Sequence, residues 1–403
     1  MRLALFLFWL AFAAHGADFD KGVAAWSAGD YATALREWKP LADQGDAFAQ
    51  TSLGFLYDNG HGVPQDYKEA VKWYRLAADQ GNALAQTSLG VMYDFGEGVP
   101  QDDKEAVKWY RRAAEQGYAV AQFNLGRMYD NGRGVPQDYT EAVRLYRLAA
   151  DQGKAEAQFN LGLMYDSGEG VPQDYKEAVK WFKKAAEQED SDAQNGLGLA
   201  YANGQGVAQD FVEAVRWFRK AAEKANANAR NNLGVAYDNG NGVPQDYEEA
   251  ARWYRLAATQ GNADAQYNLG TSYDTGLGVT QDSTEAVRWY RLAAEQGLRK
   301  AQAAVGFAYK WGGGVAQDHE ESAKWLLLAA NRGDELAQNS LGSAYADGRG
   351  VPQDYIEAYK WFQIAANHGQ DGAIEHRDAL ADSMTPSQIR QAQVLALGWK
   401  PTP

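Results

Sequence analysis

Residues 155–190 read AEAQFNLGLMYDSGEGVPQDYKEAVKWFKKAAEQED, and nearly all of the remaining sequence is a variation on this stretch. Sliding the chain by 36 residues brings Leu-Gly pairs into register at Gly54, Gly90, Gly126, Gly162, Gly198, Gly234 and Gly270, followed by Val305-Gly306 and Leu341-Gly342. Nine tandem copies result. A fixed period of this length belongs to a solenoid, in which one supersecondary element cannot bury its apolar face alone and does so against its neighbours.

Each copy reads as two helices. Ala157, Leu161, Met164 and Tyr165 recur at helical spacing and form one side of the first. Gly162 interrupts that side. Glycine in a helix interior costs about 1 kcal/mol relative to alanine, so its return in every copy predicts two backbones approaching too closely for a side chain. In the connection, Gly168 fits the left-handed position just past a helix end and Pro172 blocks continuation. Asp174 and Glu177 then read as a capping box, the Asp accepting a backbone N–H and the Glu reaching back. The pair recurs from Asp66 with Glu69 to Asp354 with Glu357. On the second helix, Tyr175, Ala178, Val179, Phe182 and Ala186 form a stripe widened by Trp181 and Ala185, which predicts burial against two layers. Tryptophan returns at 73, 109, 181, 217, 253, 289, 325 and 361, with Leu145 the exception, and reads as core.

The pattern A-x-A-Q-x-x-L-G-x-x-Y followed by G-x-G-V-P-Q-D-Y-x-E-A-V-K-W-Y-x-x-A-A-x-Q-G resembles the Sel-one-like repeat (SLR) family, a longer-looped relative of the tetratricopeptide repeat. The resemblance covers roughly 46–369. It implies an all-α fold, a right-handed superhelical α/α solenoid of about nine 36-residue helix-turn-helix repeats with N- and C-terminal capping helices. Such families are mostly adaptors and assembly scaffolds, so the resemblance implies binding of a protein or peptide rather than catalysis.

The expected organisation is a signal peptide over 1–16, a capping helix pair over 17–45, repeats over 46–369 and capping helices over 370–403. The repeats start near 46, 82, 118, 154, 190, 226, 262, 298 and 334. Arg2, the apolar run Leu3 to Ala14 and the small residues up to Gly16 suit export with cleavage after Gly16, leaving no stable membrane anchor and a periplasmic or secreted chain. Thr385-Pro386-Ser387-Gln388 is a helix start, and Ile389, Ala392, Leu395 and Ala396 are expected to cover the last repeat. The tail TPSQIRQAQVLALGWKP also resembles the tail of many exported members of the family. Glycine follows most second helices, but Glu189 and Ala225 stand at two junctions, which predicts longer or differently angled helices and altered curvature there.

Composition narrows the function. With no cysteine there is no disulfide framework, thiol nucleophile or soft metal site. A net charge of −14 argues against a nucleic-acid partner, whose phosphates need Lys and Arg. The five histidines, at 15, 61, 319, 368 and 376, are scattered, and no serine sits in G-x-S-x-G. No cofactor or metal is implied. Some cysteine-rich secreted relatives are described as penicillin-binding proteins or weak β-lactamases, which leaves a cell-envelope hydrolase or peptidoglycan binder as the alternative to a scaffold.

In paired-helix solenoids the first helices line the concave face, and positions that vary between copies are free to fit a partner. One varying column contains Phe123, Phe159, Asn195, Asn231 and Tyr267. Its aromatics and amides suit a peptide, the rings burying apolar side chains and the amides pairing with backbone; the other reading has the rings tucked against a helix. Arg127 and Phe307 belong to a neighbouring column, Lys300 to a third, and Trp311 stands where other copies carry small or polar residues or Phe95. Asp58, Asp94, Asp130, Asp166, Asp238 and Asp274 form an acidic row that reads either as turn capping or as attraction for a basic partner. Oligomeric state is not legible.

Overall fold

The computed structural model describes residues 17–402, so the expected signal peptide lies outside the described residues. Among the described residues there are 22 α-helices and no strand. The chain divides into two compact halves, one ending at Ala193 and including 205–207, the other formed by Gln194–Gly204 and 208 onward. Each is built from the same helix pair.

The pair at 155–190 shows why the sequence folds this way. The first helix, Ala155–Ser167, stops where Gly168 adopts φ 80° and donates its N–H to Met164 O. The loop is then pinned twice: Gln173 Nε2 donates to Asp166 O at 2.7 Å and Asp174 N–H to Tyr165 O at 2.8 Å. The same glutamine bond recurs in every repeat, from Gln65 to Asp58 O through Gln353 to Ala346 O. At the start of the second helix, Tyr175–Glu187, the Asp174 carboxylate accepts the N–H groups of Lys176 and Glu177.

Half of the expected capping box is absent. Glu177 turns instead to Lys180 at 3.0 Å, and Glu69, Glu141 and Glu249 likewise take Lys72, Arg144 and Arg252 one turn on. The reason is that the Asp174 N–H is already committed to Tyr165 O, so no orphan donor remains for the glutamate. Thr385 and Gln388 make the complete reciprocal box.

The glycines also exchange roles relative to expectation. A Cβ on Gly162 would lie 2.6 Å from two atoms of the Phe182 ring, and the equivalent rings over Gly54, Gly90, Gly126 and Gly234 are Tyr74, Tyr110, Tyr146 and Tyr254. Gly162 therefore makes room for an aromatic side chain of its own repeat. Backbone meets backbone at the second loop glycine, where a Cβ on Gly170 would collide with the Tyr139 carbonyl of the preceding repeat, and one on Gly278 with that of Tyr247. An invariant glycine with positive φ thus locks neighbouring repeats together.

The buried seam joins the second helix of one repeat, the first helix of the next and the tryptophan of that next repeat. Ala70, Tyr74 and Ala77 pack with Leu89, Met92 and Trp109; Ala142, Tyr146 and Ala149 with Leu161, Met164 and Trp181; and Ala286, Tyr290 and Ala293 with Ala301, Val305 and Trp325. Leu145 takes the tryptophan's place beside Tyr110, Leu125 and Met128. A glutamine relay runs through this seam. Buried Gln122 donates to Ala114 O at the end of the preceding second helix and accepts from Gln152 at 2.8 Å, so a polar side chain satisfies a helix end inside the core.

At the two junctions without glycine the helices Tyr175–Glu187 and Phe211–Glu223 keep the usual thirteen residues. The turn is conserved by forcing Glu189 to φ 66° and Ala225 to φ 62°. An L-residue there costs about 1–2 kcal/mol, against which a glycine adds unfolded-chain entropy of about 0.4–1 kcal/mol. Glu189→Gly and Ala225→Gly should each stabilise the chain by about 0.5–1 kcal/mol, seen as a higher urea midpoint at unchanged slope. At the far end, Ala392 and Ala396 of Pro386–Gly398 are buried, whereas Leu395 is exposed, contrary to expectation. Trp399 packs edge-on to Trp361 at 6.4 Å.

Candidate partner-binding face

In the N-terminal half, Phe123 is half-buried, its ring 5.8 Å from that of Tyr146 on its own repeat's second helix. Two cations cap it, Lys154 Nζ at 5.0 Å and the Arg127 guanidinium at 6.0 Å. Phe159 is likewise half-buried, 5.7 Å from Phe182. Exposed on the same first helix is Leu163, at the position that Arg127 holds one repeat earlier.

In the C-terminal half the amides serve the fold. Buried Asn195 accepts from Asn232 Nδ2 at 2.9 Å, and Asn231 accepts from Asn268 Nδ2 at 3.0 Å, so both carbonyl oxygens are engaged between successive first helices. Tyr267 lies 5.4 Å from Tyr290, with Lys300 Nζ 4.6 Å above its ring and itself paired with Asp264 at 2.9 Å. Phe307 and Trp311 stack at 5.0 Å with planes 13° apart. The structure thus brings together Phe123 with Arg127, Tyr267 with Lys300, and Phe307 with Trp311. Phe159, Asn195 and Asn231 stand apart from these pairs.

The acidic row has a structural duty at several of its positions. Tyr146 Oη donates to Asp130 at 2.9 Å, Tyr110 to Asp94 at 3.3 Å and Tyr254 to Asp238 at 3.4 Å. Buried Asp94 also pairs with Arg133 at 2.6 Å. Burial raises the Asp130 carboxyl above its ordinary range against the opposing effect of that phenol. Beside Asp274 the Tyr290 hydroxyl pairs with Thr271 at 3.3 Å, and Asp166 lacks a phenol altogether, because the residue sixteen positions on is Phe182, and burial raises its pKa too. A raised folded-state pKa means that the ionised form opposes folding, so stability is lost as pH rises through that pKa. Asp166→Asn should therefore raise the urea midpoint at neutral pH, and the gain should vanish in acid, where both chains are neutral at this position; an unchanged midpoint at neutral pH would contradict the assignment.

Two clefts of the C-terminal half lie in repeats where the aspartate–tyrosine pair is missing. In the fifth repeat Ala202 and Phe218 replace it, and a space of about 230 Å³ is lined by Leu199, Phe211, Phe218, Asn232 and Val235. In the eighth, Lys310 and Leu326 stand in its place beside a second cleft that includes Trp311. Sequence reading missed the contribution of Lys154; Leu199 and Val235 belong to the varying column of Arg127 and Phe307, and what it did not show is that they share a cleft. The signal was available, since a tyrosine sixteen residues downstream accompanies every aspartate of the row but Asp166.

The Sel1 repeat profile matches residues 47–82, 83–118, 119–154, 155–190, 191–226, 227–262, 263–298, 299–334 and 336–370. The chain belongs to the Sel1 repeat family. Among solved Sel1 repeat structures, a protective antigen present in uropathogenic Escherichia coli strains, displaying an SLR fold, is 34% identical, with 95% of this chain and 91% of that one covered and a TM-score of 0.59. A Sel1 repeat protein from Oxalobacter formigenes is 36% identical, with 77% and 90% covered and a TM-score of 0.60. No curated protein matches. Sel1 repeat proteins are generally protein-interaction scaffolds, and the fold is typically non-enzymatic. Among the described residues of this Sel1 repeat chain, no group of three or more His, Cys, Asp or Glu could hold a metal ion, and no helix is long and apolar enough to cross a membrane.

Proposed function

We propose that the protein is an exported scaffold that binds a protein or peptide partner along the outward surface of its first helices. The observation that carries this reading is a contrast between two sets of outward residues, exposed or half-buried. Outward residues of the second helices stay long at one template position, with Leu76, Leu148, Leu256, Leu292 and Leu328 in five repeats, Arg112, Lys184 and Lys220 in three, and a buried Ile364 in the ninth. Outward residues of the first helices change from repeat to repeat: Phe55, Val91, Arg127, Leu163, Leu199, Val235, Thr271, Phe307 and Ser343. A position confined to long aliphatic or basic side chains is used alike along the array, whereas one that ranges over aromatic, aliphatic, cationic and small polar residues can match a particular partner. Half-exposed rings capped by cations, as at Phe123, are the kind of anchor that dominates interfaces. Export is supported by the apolar run after Arg2 and by likeness to a protein known as a protective antigen.

The test is site-specific photo-crosslinking in cells. A photoreactive residue at 163 should give discrete adducts with another protein, and one at 148, equally exposed but on a second helix, should give none. Adducts from 148 alone would place the binding surface elsewhere. N-terminal sequencing of the chain recovered from the envelope should begin at Ala17; retention of Met1 would contradict cleavage.

A further inference from the structure

The eighth repeat departs from its siblings at positions that converge in space. Residue 310 is Asp or Ala in every other repeat, 322 is Ala and 326 is Tyr or Phe. Here they are Lys310, Ser322 and Leu326, and with Trp311 and His319 they line one cleft of about 210 Å³ in the C-terminal half. The physical cause is visible in the template. Elsewhere an aromatic ring fills the space above the helix glycine, and in several repeats its hydroxyl reaches an aspartate. Leu326 is smaller and carries no hydroxyl, Ser322 satisfies itself by donating to Gly306 O at 2.8 Å, and Lys310 puts an ammonium where a carboxylate usually stands.

We propose that this cleft is a receptor for an acidic peptide segment, taking a carboxylate at Lys310 and Arg349 and an apolar side chain on the indole of Trp311. The proposal rests on the scaffold reading above and names the partner chemistry for one stretch of that surface. Trp311 is 67% exposed although it stacks on Phe307, so it offers an open aromatic surface. Lys310 Nζ sits 5.6 Å from that ring. Lys310, near the end of the first helix Arg299–Trp311, forms no ion pair among the described residues, while Arg349 pairs at 3.5 Å with Asp347, which lines the same cleft. Burial, reinforced by Arg349, lowers the Lys310 pKa against the opposing effect of Asp347. In a chain of net charge −14 such a site is selective for a negative group. A neutral sugar covering it would bury the ammonium uncompensated.

The experiment uses the full described chain and three fluorescein-labelled peptides in a Gly-Ser background, read by anisotropy at low ionic strength. One carries internal Phe-Glu with an amidated end, one ends in Phe with a free carboxylate, and one carries Phe-Gln with an amidated end. At least one carboxylate peptide should bind about tenfold or more tighter than the neutral one, and which of the two does so separates a side-chain from a C-terminal source. Lys310→Ala and Trp311→Asn restore residues found together in the fifth repeat, Ala202 and Asn203, so both variants should melt as the parent does, yet each should weaken binding about tenfold or more. Equal binding of the neutral peptide or of a neutral oligosaccharide, no effect of Lys310→Ala, or no carboxylate peptide bound at concentrations on the order of a millimolar would each overturn the proposal. Crosslinks from residue 163 surviving in such a case would remove the cleft and leave the scaffold reading standing.

Discussion

Gly278→Ala is expected to lower stability by about 2–5 kcal/mol, the sum of a left-handed L-residue and a forced backbone displacement. The φ of Gly278 is 73°, and the added methyl falls on the Tyr247 carbonyl, which belongs to the backbone of the preceding repeat and has no flexible end to swing aside. Gly261→Ala is the matched control. Its φ is 90°, but nothing lies within 4 Å of the new methyl, so only the conformational cost of about 1–2 kcal/mol applies, reduced by unfolded-chain entropy. Urea unfolding of the two variants measures the difference directly. Equal losses would mean that the loop glycine is kept for its backbone angle and not for contact between repeats.

Trp109→Ala is expected to cost about 3–5 kcal/mol, and its effect on cooperativity should exceed its effect on helix content. Trp109 reaches into the cluster formed by Ala70, Tyr74, Leu89 and Met92, so one side chain closes the contact among three helices from two repeats. In an array held by nearest-neighbour interfaces, emptying one interface lets the segments on either side unfold at different denaturant concentrations. A biphasic transition by circular dichroism is therefore the expected signature. Trp109→Phe should do much less harm, since the indole N–H has no hydrogen-bond partner to lose and a ring still fills most of the space.

The legible part of this fold was whatever recurs at the period and acts within one repeat. Gly168 as helix stop and Asp174 as helix start are local, and each does what its chemistry dictates. Contacts that cross the period were harder to read. Gly162 and Gly170 are equally invariant, and nothing local tells which meets a ring of its own repeat and which meets the backbone of the one before. The engagement of Asn195 and Asn231 by Asn232 and Asn268, 37 residues on, is invisible to a reading made one repeat at a time. The Glu177–Lys180 pairing could have been read from spacing alone, but the capping reading overlooked that Tyr165 had already taken the N–H. As for the candidate face, the varying columns were legible, and so was Trp311 as an exposed outlier. That Lys310, Ser322 and Leu326 share one cleft with it required the helices in place.

The central claim is that cohesion along the repeats passes between nearest neighbours, with only the C-terminal tail reaching past one repeat, where Thr402 N–H donates to Asn331 O, so that the period is a physical unit. Excising residues 83–118, one whole repeat of the N-terminal half, tests it most directly. Asn82 would then precede Ala119 and cap that helix as it now caps the one at Ala83. The account predicts a folded chain one repeat shorter, with helicity per residue unchanged and a cooperative melt. A chain left unfolded or aggregated by the excision, as a single globular core would be, would contradict it.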